Sequence, residues 1–273
     1  MGGTRTGERA LHPVAAVLAV LLGWVLMQVA LVLALRLLEL GQRGALLAGE
    51  AALVLPGLGL LALSGARLRP ALALFRLPAP AVALCLGCGL ALWAVSLGVM
   101  NLQTALFPLP PAYLELFQRL HAALRPRDLL DGLLSLAAIA LAPALCEELL
   151  FRGTVLPSLA RAWGATAGVV VSAVLFGAIH VDSLPDGSLL FFRVPFALVV
   201  GLGLALLRLR AGTLAAPMLA HGLLNAVTFA LAPLVDKPLD TPERGDALLG
   251  LALLAGGGLA TAFLYRRLPP RED

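Results

Sequence analysis

The sequence predicts an all-α fold, a polytopic membrane helical bundle of about eight transmembrane helices. Three observations predict it. Of 273 residues, 60% are hydrophobic and only 13% charged, with a mean hydropathy of +0.95. A soluble domain of that size needs far more charge to cover its surface. The apolar residues also come in unbroken runs close to the roughly 20 residues that cross a bilayer core, not in the two-residue alternation of an outer-membrane barrel. Finally, the breaks between runs are rich in Pro, Gly and Arg, which stop or turn helices.

The first run, 13–35, follows Arg5 and Arg9. It is too long for the apolar region of a signal peptide, and no small-x-small site leads into a polar segment, so it is read as a spanning helix. Runs at 44–65, 81–100, 132–161, 165–181, 189–207, 212–234 and 246–265 supply the other seven. The connection 101–131 is long. Within it, residues 111–124 put Leu116, Phe117, Leu120 and Leu124 on one helical face, with Glu115, Gln118, Arg119 and His121 largely elsewhere. That pattern predicts a helix lying in the membrane interface. The chain accordingly divides into three parts. Residues 1–131 hold three transmembrane helices plus the interfacial helix, 132–234 hold a polar-bearing helical core, and 235–273 hold the last transmembrane helix and a basic C-terminal tail.

The net charge of +4 is dispersed between apolar runs, which reads as topology and gives no nucleic-acid surface. With an even number of spans the termini share a side, and twelve of the twenty basic residues fall there. The acidic breaks around Asp182 and Asp236 fall on the other side. The positive-inside rule then predicts cytoplasmic termini. Only Lys237 is lysine. That bias, with the Ala, Leu and Gly content, points to a GC-rich bacterial genome and to the bacterial inner membrane. Cys85, Cys88 and Cys146 all lie in apolar runs, so no disulfide framework is expected; Cys85-x-x-Cys88 has no second ligand pair and reads as helix packing.

The chemistry concentrates in the second half. Glu147 and Glu148 sit in the apolar stretch 133–150. A carboxylate at bilayer depth costs several kcal/mol unless it is protonated, paired or facing water. Glu148 and Arg152 are four apart and share a helix face, so they can pair. Glu147 projects about 100° away, free to meet water or a substrate. Phe176 with His180, and His221 with Asn225, are two more i,i+4 pairs. Measured from the turn at Trp163-Gly164, Glu147 and His180 both lie about 24 Å deep at 1.5 Å per residue. The bland alternative is that each polar group neutralises a charge on another helix. Glu50 and Arg193 receive that kind of reading: Glu50 snorkels or pairs, and Arg193 snorkels to the interface. Cys146 adjoins Glu147 but in apolar surroundings, where a thiol is inert.

Glu147-Glu148-x-x-x-Arg152, Phe176-x-x-x-His180 and His221-x-x-x-Asn225, in that order in consecutive apolar helices, resemble the three motifs of the CAAX protease and bacteriocin-processing family of glutamic-type intramembrane proteases. The resemblance covers about 133–234. It implies hydrolysis of a peptide bond in a membrane-anchored or lipidated polypeptide by glutamate-activated water, with the lipid bilayer as the other partner. By similarity Glu147 is the general base, His180 assists it or holds the water, and His221 and Asn225 donate to the oxyanion. Glu148, Arg152 and Phe176 orient the site. No cofactor is expected. If zinc is bound instead, the ligands are Glu147, His180 and His221. A non-catalytic membrane immunity or scaffold protein would keep the same motifs. An ion-coupled transporter would place polar residues in both halves of the chain; here they cluster in the second.

Overall fold

The computed structural model describes residues 10–107, 109, 111–183, 189–231 and 246–269. Arg5, Arg9, Asp236, Lys237 and the last residues of the tail lie outside them. Helix α1 (Pro13–Arg36) and helix α2 (Gly41–Leu63) form an antiparallel pair. A four-residue turn of helix, α3 (Leu68–Ala71), leads to α4 (Ala79–Leu106). The segment read as interfacial forms a helix, α5 (Pro111–Leu124), with Tyr113 and Leu124 buried and Leu116 and Phe117 exposed.

A 35-residue rod, 129–163, follows. It is not a uniform α-helix. Segments α6 (Leu129–Leu136), α7 (Ala142–Glu148) and α8 (Leu156–Trp163) alternate with two π-helical segments, π1 (Ala137–Leu141) and π2 (Leu149–Val155). Each π segment lies just before a proline, Pro143 or Pro157. Proline has no N–H to give and crowds the carbonyl four residues back, so the ladder shifts register there. Gly164, with φ +87°, reverses the chain into α9 (Ala165–Ala178); this backbone conformation costs glycine little. A two-residue antiparallel hairpin, β1 (Asp182–Ser183) with β2 (Leu189–Leu190), precedes α10 (Val194–Ala211), α11 (Ala215–Leu231) and α12 (Ala247–Arg267).

Six of these helices are long and apolar enough to cross a membrane: α1, α2, α4, the rod, α10 and α12. The protein is therefore an integral, multi-pass, all-α membrane protein. The runs read at 165–181 and 212–234 are shorter helices, α9 and α11; residues 232–234 lie outside the described residues. Helix α9 ends at Ala178 because its last turn tightens. The Ile179 N–H reaches the Leu175 carbonyl and the His180 N–H reaches Gly177, a 3₁₀-type closure. His180 thus sits in a turn beyond the helix, not within it.

Helix α4 packs against α10, α11 and α12, while α2 packs against the rod, which also touches α9 and α11. Between lipid-embedded helices there is little hydrophobic drive, so close backbone approach carries the contact. A Cβ on Gly98 would lie 2.8 Å from the Gly250 carbonyl oxygen, and one on Gly89 only 2.5 Å from that of Ala220. Cys85 and Cys88 are free and buried in the cluster with Ala216 and Ala220. We expect Gly89→Ala to push α4 off α11 and cost about 1–3 kcal/mol by overpacking. Gly59→Ala, which meets nothing within 4 Å, should be neutral or stabilising through helix propensity. Thermal unfolding in detergent compares the two.

Candidate active site

The polar residues meet where α7, π2, α9, α10 and α11 converge. Glu148 and Arg152 are both fully buried, and the Arg152 Nη1 donates to Glu148 Oε1 at 2.8 Å. The four-residue spacing is thus an ion pair inside the bundle. The Arg152 Nη2 donates to the Gly201 carbonyl of α10 at 2.8 Å, and the guanidinium lies 4.4 Å from the centre of the Phe176 ring. A desolvated guanidinium over an aromatic face is a favourable cation–π contact. Arg152 is one of the twelve basic residues on the side of the termini. Enclosed and paired, it is a site residue and no topology signal.

Glu148 has a second partner. The His221 Nδ1 lies 2.9 Å from the same Oε1. A carboxylate only accepts, so Nδ1 carries a proton and donates. The Glu148 carboxylate thereby fixes the ring's orientation and leaves Nε2 on the other side, 3.8 Å from Glu147 Oε2. That Glu147 oxygen is buried and accepts no hydrogen bond among the described residues. The two adjacent glutamates therefore differ. One is held by arginine and histidine, and the other presents an unused oxygen at the gap before His221.

Phe176 joins the remaining groups. Its ring is 5.9 Å from that of His221, 4.8 Å from that of His180, and edge-on to Phe151 at 5.2 Å. Gly201 lets it approach; a Cβ there would meet Phe176 at 3.1 Å. His180 Nδ1 lies 2.7 Å from the Phe176 carbonyl oxygen, so Nδ1–H donates and Nε2 carries the lone pair. Asn225, one turn beyond His221, donates through Nδ2 to the Ile139 carbonyl at 3.3 Å. Pro143 has no N–H to give that carbonyl four residues back, and Asn225 supplies one from another helix. Six of the seven residues singled out in the sequence therefore lie in one network, and Asn225, one turn from His221 on α11, is anchored separately to π1.

Three features were not read from the sequence. The π segments bracket the glutamates, a shape associated with functional sites, and Pro143 and Pro157 inside a long apolar stretch were the available signal. Arg193, read as snorkelling, has a partner. It makes a two-pronged pair with Asp182, Nε to Oδ2 at 2.8 Å and Nη2 to Oδ1, closing the hairpin that follows His180. Beside it the Tyr113 and Phe192 rings touch at 4.6 Å and Gln103 donates to the Phe192 carbonyl at 3.0 Å. This pins α5 and α4 against the hairpin. An acidic residue eleven positions from a lone arginine, across a break, was too weak a signal to pair them.

Among the described residues no three of His, Cys, Asp and Glu come together at metal-ligand distances. Of the zinc set, His180 bonds a backbone carbonyl through Nδ1 and His221 bonds Glu148 through Nδ1. Such bonds leave Nε2 of both rings available to a ligand.

Comparison with known proteins bears on the same segment. Residues 129–227 match the family described as type II CAAX prenyl endopeptidase Rce1-like. The chain is 31% identical over 139 residues to human CAAX prenyl protease 2, an alignment covering 46% of this chain and 41% of that protein. The chain thus matches about two fifths of its curated relative's length. No solved structure matches it. The region from 129 to 227, which carries the glutamate pair, the Phe176–His180 turn and the His221–Asn225 helix, is the part of this chain that is similar to the CAAX prenyl endopeptidase family.

Proposed function

We propose that this protein is an intramembrane endopeptidase that hydrolyses a peptide bond of a membrane-anchored or lipidated polypeptide with a water molecule activated by Glu147. The observation that carries this reading is the buried Glu147 Oε2, without a hydrogen-bond partner and 3.8 Å from His221 Nε2. A polar gap of that width suits a bridging water.

In the proposed reaction Glu147 takes a proton from that water as its oxygen attacks the scissile carbonyl carbon. The tetrahedral oxyanion accepts hydrogen bonds from Asn225 and from the Nε2–H of His221 as an imidazolium whose Nδ1–H stays on Glu148, the two residues sharing one face of α11. His180, with its Nε2 lone pair, holds the water. When the C–N bond breaks, the proton on Glu147 passes to the leaving amine. Glu148 and Arg152 are positioning residues. They hold the His221 ring and take no proton in the reaction.

The relative's name specifies a prenylated CAAX substrate. A bacterial inner membrane, the setting that composition suggests, favours instead a secreted peptide or a C-terminal sorting helix. Cytoplasmic termini are part of the same proposal, although removing Arg152 from the basic residues narrows the charge bias. The test is cleavage by liposome-reconstituted protein of two probes, a farnesylated peptide ending in a CAAX sequence and an unlipidated single-helix peptide. At least one should be cut. Cleavage of neither, by folded protein, would leave the immunity or scaffold reading. We further expect a strong chelator to leave the rate unchanged, measured on whichever probe is cut. Loss of activity with recovery on added zinc would reverse the metal-free proposal.

A further inference from the structure

Among the buried titratable groups that the proposed mechanism leaves unused is a glutamate. Glu50 lies in the interior of α2, and its Oε2 is enclosed with no hydrogen-bond partner. Glu147 Oε2 is in the same condition. Glu148 Oε2 is a third such atom, on a carboxylate whose other oxygen is held by Arg152 and His221; the unpaired oxygens of Glu50 and Glu147 call for an explanation, because burial without a partner is costly.

The helices bring the two together. Helix α2 runs parallel to the rod. At its start Arg43 reaches Asp131 at 3.5 Å and Ser135 at 2.8 Å. Two turns beyond Glu50, a Cβ on Gly57 would meet Leu150 at 2.8 Å and Thr154 at 3.5 Å. Glu50 stands midway between Arg43 and Gly57 in sequence, which sets it level with α7, the segment that ends in Glu147 and Glu148. The electrostatics agree. Among the charged groups around Glu147, Glu50 acts on it most strongly, ahead of His221, Glu148 and Arg152, and Glu50 also acts on Cys146. The other elements against α2 add little there. Between Pro13 and Leu35, α1 has no titratable side chain, and neither has π1. Helix α3 carries only Arg69, and α5, with Tyr113, Glu115, Arg119 and His121, lies against α2 toward the Arg43 end, where Arg43 bonds Leu124 and Arg125.

Resting on the hydrolytic reading of Glu147, we propose that Glu50 and Glu147 hold one proton between them, which makes Glu50 a positioning residue for the catalytic base. A single proton shared by two facing carboxyl groups satisfies both orphan oxygens and removes one of two like charges from an apolar site. Such a pair titrates as a unit. With one proton present, Glu50 is the acid and Glu147 the carboxylate that deprotonates water. The pair then carries two protons until the leaving amine takes one, and it returns to its starting state. Glu50 never contacts the peptide.

The test separates this inference from the protease reading by using a measurement that needs no turnover. Infrared difference spectra of the protein in lipid nanodiscs, recorded against pH, follow buried protonated carboxyl groups in wild type, Glu50→Gln and Glu147→Gln. A shared proton predicts that the last one leaves wild type at a pH at least about one unit above that of the carboxyl remaining in either variant. If removing one glutamate leaves the titration of the other unmoved, the proposal is overturned, whatever the protein cleaves. On the cleaved probe, the proposal expects wild-type kcat to fall on the alkaline side as the shared proton leaves; Glu50→Gln should lose that fall with KM unchanged, and Glu50→Asp should keep it. A wild-type profile in Glu50→Gln would refute the positioning role. Because the Asp variant retains the carboxyl, loss of fold is distinguished from loss of the proton.

Discussion

Replacing Glu147 with glutamine should lower the hydrolysis rate by about 10²–10⁴-fold, the range that a positioned general base contributes, while membrane insertion and thermal unfolding stay near wild type. The amide fills the same space but cannot accept the water's proton. Glu147 is 6% exposed, and its Oε2 accepts no hydrogen bond from another described residue. The substitution therefore breaks no hydrogen bond between described residues at that oxygen. Kinetics on a cleaved probe, paired with an unfolding curve, checks both halves. A variant that keeps its rate would end the assignment of Glu147 as base. One that loses rate only by failing to fold would move Glu147 to the scaffold.

Arg152 is expected to behave in the opposite way. Arg152→Met strips Glu148 of its ion-pair partner in a wholly enclosed site and leaves the Gly201 carbonyl without its guanidinium donor. Breaking a buried pair by removing one member costs about 3–5 kcal/mol, because the other charge stays behind. The double change Glu148→Gln with Arg152→Met should recover much of that loss, since replacing both members with neutral groups is far less costly. Activity should not recover with it. Glutamine at 148 can still meet His221 Nδ1 but no longer presents the carboxylate that orients the ring. Stability restored without rate would mark the pair as positioning the histidine. Recovery of both would reduce it to packing.

The sequence made the class and the principal contacts of the site readable because both are local properties. A run of about 20 apolar residues reports a spanning helix, and i,i+4 spacing reports a shared helix face. Glu148 with Arg152 and Phe176 with His180 touch as those spacings require. His221 and Asn225 do share a face, but each reaches a different part of the rod, Glu148 and the Ile139 carbonyl. What stayed hidden was non-local. Apolar runs count residues and do not register a ladder that shifts by one, so the rod read as one helix while Pro143 and Pro157 were reshaping it. Run length also overstated α9, whose last turn tightens to carry His180 out of the helix. Arg193 read as snorkelling because its partner, Asp182, lies across a hairpin. Glu50 read as bland because its significance depends on which helix packs against α2.

The central claim is that water, activated by Glu147 beside His221, attacks the peptide directly. Cys146, next in sequence and a free thiol, is a neighbouring side chain that could attack in its place. The most direct measurement is a single-turnover cleavage of the probe by wild type, Cys146→Ala and Glu147→Gln, with the intact mass of the protein followed through the reaction. The account predicts that Cys146→Ala cleaves at the wild-type rate, that Glu147→Gln does not cleave, and that the protein's mass never changes. A transient acyl adduct on the protein, or a Cys146→Ala variant as inactive as Glu147→Gln, would contradict it.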